Sequence, residues 1–254
     1  MGRLLVALSA RGETHHELAG AVEAAGSDAV GRDAGEVAGI DRLGVPISTD
    51  YRPLARPDTV TLDFTNAASS LAHLEVAAEQ GAAIVIGSTG FTAPMEERAR
   101  ALAPRTRTLI APNMSLGVNV LMKIVADVAA MLPDFDAEVV ELHHRTKVDA
   151  PSGTALALGR AVAGARGVAF DESAVFGRQG VTGARPAGQI GVFALRGGDA
   201  VGDHTVIFGG QGERLELIHR TQSREALAHG ALRAAAWLEH RPPGLYTMRD
   251  VLGL

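Results

Sequence analysis

The segment Glu141–Thr154, ELHHRTKVDAPSGT, holds the densest set of reactive groups in the sequence. An apolar run delivers two adjacent imidazoles, His143 and His144, and the Lys147 ammonium follows four residues after the first. Ser152, Gly153 and Thr154 then open a helix, whose N-terminal N–H groups lack helical acceptors and favour carboxylate or phosphate. Two imidazoles and an ammonium beside such a cradle suit binding of a small dianionic acid and proton transfer to it. Any one of these residues alone reads as part of a solvated loop; the combination points to chemistry. No His-x-x-x-His pair or acid cluster completes a coordination set, so no metal site is expected.

A second constellation lies in two loops. Gly87-Ser88-Thr89-Gly90 follows the apolar run Ala82–Ile86, and Ala111-Pro112-Asn113-Met114-Ser115 closes the next run, Thr108–Ala111. In open parallel sheets, ligands sit at the carboxyl ends of strands, where such loops lie. Turn-making alone also accounts for Gly and Pro there.

The elements that position these groups follow from pattern. Arg3–Leu8, Leu18–Val22, Val60–Phe64, Ala82–Ile86 and Thr108–Ala111 read as short strands. Asn66–Gln80 reads as a helix capped by Asn66, and Pro94–Leu102 as a helix with Thr92 as its cap. Strands alternating with helices argue for an α/β unit with a parallel sheet. After Ser115 come a helix over Gly117–Met131, a strand over Ala137–Leu142 and a helix over Thr154–Ala163. Strands over Gln189–Leu195, His204–Phe208 and Arg214–His219 follow, joined by Gly197-Gly198 and Gly209–Gly212 in hairpin fashion. That describes an α+β unit with a mixed or antiparallel sheet. A helix over Arg224–Glu239, capped by Ser223 and stopped by Pro242-Pro243, closes the chain. The expected division is residues 1–114 with 224–254, and residues 115–223.

Composition sets bounds on all of this. At 254 residues with 46% hydrophobic and 21% charged, the chain suits one large or two modest domains of about 150 residues or fewer. With no cysteine, disulfides, iron–sulfur clusters and a thiol nucleophile are excluded. A formal charge of −5 is the opposite of a nucleic-acid binder's footprint. No apolar run is long enough for a bilayer, and Met1–Leu8 does not read as a signal peptide, so a cytoplasmic protein without membrane or nucleic-acid partners is expected.

The sequence resembles the 4-hydroxy-tetrahydrodipicolinate reductase (dihydrodipicolinate reductase) family. The resemblance runs from about Leu18 to Leu254 through DFT (Asp63–Thr65), IGSTGF (Ile86–Phe91), APNMSLGVN (Ala111–Asn119) and ELHHRTKVDAPSGTALALG (Glu141–Gly159). It continues through GRQGVTGARP (Gly177–Pro186), RGGDAVGDHTVIF (Arg196–Phe208) and PPGLYTMRDVLGL (Pro242–Leu254). It implies a Rossmann-like dinucleotide-binding domain and a substrate and oligomerisation domain that builds a homotetramer. It further implies hydride transfer from NADH or NADPH to a cyclic imine dicarboxylate in diaminopimelate and lysine biosynthesis. His143 corresponds to the general acid/base, Lys147 to a second proton donor, and His144, Ser152, Gly153 and Thr154 to substrate contacts. Gly87, Ser88, Thr89, Ala111, Pro112, Asn113 and Met114 correspond to cofactor contacts near the nicotinamide.

The N-terminus departs from that family. With Arg3–Leu8 taken as the first strand, Ser9–Glu17 supplies neither a glycine-rich turn nor a helix. Leu18–Val22 then serves as the second strand, with Glu23 as the ribose ligand and Ala24 beside it, a pairing that favours NADH over NADPH. Arg11, His15 and His16 read as solvated loop residues. The expectation is a shallow diphosphate pocket and weak dinucleotide affinity, the alternative being a diverged homologue: a binding protein or cofactor-independent dehydratase that keeps only the dicarboxylate site.

Overall fold

The computed structural model of the chain, which describes residues 1–12 and 15–254, begins with a helix, Gly2–Ala10 (α1). This overturns the strand expected over Arg3–Leu8. A short apolar run fits either period. Leu5 and Leu8, one turn apart, are buried, and Gly12, at φ 71°, supplies the left-handed stop that ends a helix. The residues assigned to the strand therefore make a helix, which precedes β1 at Ala21–Val22. The Ser9–Glu17 connection begins inside that helix, and residues 13 and 14 of that connection lie outside the described residues.

The chain divides into two units, Met1–Ser115 with Leu227–Leu254, and Leu116–Ala226. In the first, Ala21–Val22 (β1), Ala34–Ala38 (α2) and Ile47–Ser48 (β2) form a small βαβ element whose strands pair in parallel. Asp33 caps α2 and also accepts the N–H groups of Leu43 and Val45, tying down the loop that follows. Then come Val60–Asp63 (β3), Ala67–Gln80 (α3), Ala83–Ile86 (β4), Ala93–Leu102 (α4) and Arg107–Ile110 (β5). Asn66 caps α3 through Ser69 N–H as its sequence indicates, whereas Thr92 makes no side-chain cap on α4. The strands form a parallel sheet ordered β11-β5-β4-β3, with Gly244–Tyr246 (β11) entering from the far end of the chain. β4 is buried on both faces, as the unbroken run Ala-Ile-Val-Ile requires of a central parallel strand.

In the second unit Leu116–Met131 (α5) leads into Asp136–His143 (β6), Gly153–Arg166 (α6), Phe170–Ser173 (α7) and Ala174–Val175 (β7). Ile190–Arg196 (β8), Gly202–Gly209 (β9) and Arg214–Thr221 (β10) complete a five-stranded mixed sheet, ordered β10-β9-β6-β8-β7. β6 lies at its centre, parallel to β8 and antiparallel to β9. The Gly209–Gly212 turn makes a hairpin of β9 and β10, but Gly197-Gly198 does not make one of β8 and β9. Those two strands flank β6 on opposite sides, so the turn carries the chain across its end. Val125, Val139, Leu158, Val192, Val206 and Phe208 fill the core between the sheet and helices α5 and α6. Glu225–Leu238 (α8) and Met248–Leu252 (α9) complete the chain, and Ser223 accepts Glu225 N–H at the start of α8.

Candidate active site

The two-residue period of β6 decides which side chains meet. Ala137, Val139 and Glu141 are buried on one face, and His143 is next in the same parity. A carboxylate thus sits where the pattern calls for an apolar residue. Glu141 is 0% exposed and is compensated from every side. Arg196, which stands beside His143 in the β6–β8 register, donates to both of its oxygens at 3.0 and 3.1 Å. Ser152 N–H donates to it at 3.0 Å, and His143 engages it through Nδ1. Burial pushes the Glu141 carboxyl up, but Arg196, His143 and the Ser152 amide together outweigh that and hold it below the usual range. It is an anion, and it fixes the ring of His143 with Nε2 as the nitrogen left for other partners.

β9 supplies the other wall. His204 lies opposite Glu141 in the register, is 3% exposed, and meets the His143 ring edge-on with centroids 5.3 Å apart. Burial first, then the neighbouring His143, pushes His204 down to about 4, so it is neutral at neutral pH. Its Nε2 pairs with Ser152 Oγ at 3.3 Å. Gly202, also on β9, leaves room beside His143: a Cβ there would stand 2.9 Å from His143 Nε2.

The loop between β6 and α6 carries the cations. Lys147 Nζ donates to Asp149 at 2.6 Å, and this ammonium holds the Asp149 carboxyl below its usual range. His144 pairs with Thr146 Oγ1 at 2.7 Å. Ser152, expected among the substrate contacts, is turned inward instead. Its N–H goes to Glu141, and its Oγ caps α6 through Ala155 N–H while meeting His204. Gly153, whose Cβ position faces open space, and Thr154 follow it at the start of α6. The sequence reading missed Glu141, Arg196, Gly202 and His204. Only Glu141 left a local signal, a carboxylate at an inward position of an apolar strand two residues before His143.

In the first unit the two expected loops leave the carboxyl ends of adjacent strands, β4 and β5, which are paired through Ile86 and Ile110. Gly87 is obligatory where it stands, since a Cβ would meet the Phe64 ring at 2.2 Å. Ser88 is buried, and its hydroxyl pairs with Ser70 Oγ at 2.7 Å; Ser70 in turn donates to buried Asp63 at 2.9 Å. Thr65 and His73 also bind Asp63, His73 through Nδ1 at 2.6 Å. Burial pushes the Asp63 carboxyl up, but His73, Thr65 and Ser70 bring it below the usual range. Thr89 and Pro112 are exposed, Asn113 is half-buried and accepts Ser115 N–H, and Met114 and Ala111 are buried. Met114 is held by α8, where Gly230 has no room for a Cβ against its carbonyl. Glu23 follows β1 in the small separate sheet, exposed, accepting its neighbour Ala24 N–H at 2.8 Å. The strands place Gly87–Thr89 and Ala111–Met114 side by side and leave Glu23 outside that pair.

The family described as dihydrodipicolinate reductase, N-terminus, matches residues 1–114, and its C-terminus counterpart matches residues 117–252. A 4-hydroxy-tetrahydrodipicolinate reductase of Syntrophobacter fumaroxidans is 50% identical over 239 residues, 94% of this chain and 90% of that one. One from Magnetococcus marinus is 50% identical over 259 residues, covering 100% and 94%. Among solved structures, a dipicolinate-bound dihydrodipicolinate reductase from Paenisporosarcina sp. TG-14 has a TM-score of 0.75 and 25% identity, covering 98% of this chain and 95% of that one. An amine dehydrogenase from Mycobacterium smegmatis, 16% identical with a TM-score of 0.64, covers 98% and 92% and shares the fold.

Proposed function

The chain belongs to the dihydrodipicolinate reductase family, and from that premise we propose how its residues divide the work. The activity is that of an NAD(P)H-dependent 4-hydroxy-tetrahydrodipicolinate reductase, an oxidoreductase of diaminopimelate and lysine biosynthesis. The observation that carries the assignment of roles is the Glu141–His143 pair, a buried anion holding one face of an imidazole whose other nitrogen lies beside Gly202.

His143 exchanges a proton with the substrate through Nε2, and Lys147 is the second donor on the same loop. Gly153 and Thr154, at the start of α6, bind a substrate carboxylate, with His144 beside them. The dicarboxylate class of ligand agrees with the dipicolinate named for the Paenisporosarcina structure. The loops after β4 and β5 fit a nicotinamide: they bring backbone amides and small polar groups and no carboxylate, which matches a neutral carboxamide. When bound, the reduced nicotinamide supplies the hydride. α1 shows that the N-terminal residues do form a helix, but the expectation of weak dinucleotide binding rested also on the lack of a glycine-rich turn in Ser9–Glu17, which α1 does not supply. No observation favours a homologue that has lost the reductase step.

Glu23 accepts a ribose hydroxyl and repels a 2′-phosphate, and Ala24 offers no guanidinium in compensation, so NADH is favoured. The tetramer assembles through the mixed sheet, which exposes Leu195, Leu215 and Ile218. The protein works in the cytoplasm; none of its described helices is long and apolar enough to cross a membrane. The test is steady-state reduction of 4-hydroxy-tetrahydrodipicolinate with each nucleotide, beside light scattering for mass. NADH giving a kcat/KM at or above that of NADPH, with four chains per particle, supports the reading. A preference for NADPH of about tenfold or more sinks the role of Glu23.

A further inference from the structure

We propose that His15, His16 and Glu239, all in the first unit, form a binding site for a divalent transition-metal ion of the zinc type. The three side chains come from positions 224 residues apart, yet their ligand atoms lie within 4.8 Å of one another. Nε2 of His15 stands 3.2 Å and Nε2 of His16 3.4 Å from the same oxygen, Glu239 Oε2. Zinc takes imidazole nitrogen and carboxylate oxygen at about 2.0–2.2 Å, which places tetrahedral neighbours about 3.3–3.5 Å apart. Of the two edges to Glu239, the one from His16 has that length and the one from His15 is about 0.1 Å shorter.

The local backbone points the same way. Neighbouring side chains on an extended chain face opposite sides. Here a bend at His15 brings both rings to one side, with centroids 4.1 Å apart and planes tilted by 34°. The carboxylate end is anchored too, because Arg107 Nη1 donates to the Glu239 carbonyl at 2.6 Å. His15 and Glu239 are open to solvent, and a groove lined by Ala10, Leu43 and Val45 runs beside the imidazoles, so an ion has an entry path. His240 Nε2 lies 3.9 Å from the same Glu239 oxygen. Two imidazoles and a single carboxylate select zinc, cobalt, nickel or copper over magnesium and calcium, which prefer all-oxygen sets. The ion would join the segment following α1 to the end of α8, fastening the N-terminal helix to its unit.

Cobalt(II) serves as the probe, because tetrahedral coordination gives it strong visible absorption. The purified full chain, treated with chelator and dialysed, is titrated with cobalt chloride, and zinc is then added to displace it. One equivalent of absorbing cobalt, displaced by zinc, is expected. Glu239→Gln and His16→Gln should each weaken it at least about tenfold, while His143→Gln leaves it unchanged. Circular dichroism confirms that each variant is folded. Absence of the absorption in the parent protein would overturn the proposal. So would its survival in Glu239→Gln, or its loss in His143→Gln, which would place the ion in the other histidine cluster.

Discussion

Among the described residues, Glu141 and Asp63 are buried carboxylates, and they are neutralised in different ways. Glu141 meets a guanidinium on both oxygens, a backbone amide and an imidazole. Asp63 meets no guanidinium: two hydroxyls, an amide and the imidazole of His73 satisfy it. The first network converges on one ring, His143, and leaves its far nitrogen available. The second converges on a loop, since Ser70 passes the contact on to Ser88 beyond β4. A full counter-charge suits a carboxylate that must stay ionised while its neighbour gains and loses a proton. Neutral donors suffice for one that only holds a backbone in place. One network ends on a ring; the other ends on a loop.

That contrast can be broken at several points. The largest effect is expected from His143→Gln, which should lower kcat by about 10²–10⁴-fold with the fold intact by circular dichroism. A loss under threefold would remove His143 from the chemistry. Glu141→Gln comes next. It should lower kcat with little change in KM and alter the pH profile. It also leaves half-buried Arg196 without its anion, at a cost of about 3 kcal/mol in denaturant unfolding. Gly202→Ala, by crowding Nε2, should reduce kcat while stability stays within about 1 kcal/mol.

The Asp63 network should answer differently. Asp63→Asn is expected to raise the KM for dinucleotide about tenfold with kcat nearly unchanged at saturation, and to cost about 1–3 kcal/mol. A fall in kcat equal to that of Glu141→Gln would erase the distinction between the networks.

A further effect is thermodynamic and concerns His204. Its folded value of about 4 lies below the ordinary 6.5, so the unfolded chain takes up this proton first on acidification. Its contribution is complete above about pH 6.5 and is lost as pH falls towards 4, amounting to roughly 3 kcal/mol. Unfolding midpoints across that range should flatten in His204→Asn. An equally steep curve in the variant would show that other groups govern acid sensitivity.

Much of this was legible in advance, and the limits have physical causes. Local signals sufficed for α3, with Asn66 at its start, and for β4, a continuous apolar run. The loop from His143 to Thr154 announced itself because its groups are close in sequence. α1 was misread because nine residues of mostly Leu and Ala satisfy two periodicities, and the stop at Gly12 is a weak mark. The β8–β9 turn misled for a related reason: a glycine pair signals reversal but not which strands become neighbours. Arg196, Gly202 and His204 could not be joined to Glu141 from spacing, since only sheet register brings residues some 55 to 63 positions apart together. Ser152 shows the converse, a residue in the right segment whose polar groups are already committed.

The central place of β6 has a consequence for how the molecule comes to exist. Its partners on both sides, β8 and β9, emerge from synthesis roughly fifty or more residues after it. Contacts of such separation form slowly, since a long loop must close before any pairing is rewarded. Until Arg196 arrives, Glu141 has no counter-charge and no reason to leave water. The strand that carries Glu141 and His143 therefore settles late, after β8 and β9 have been made.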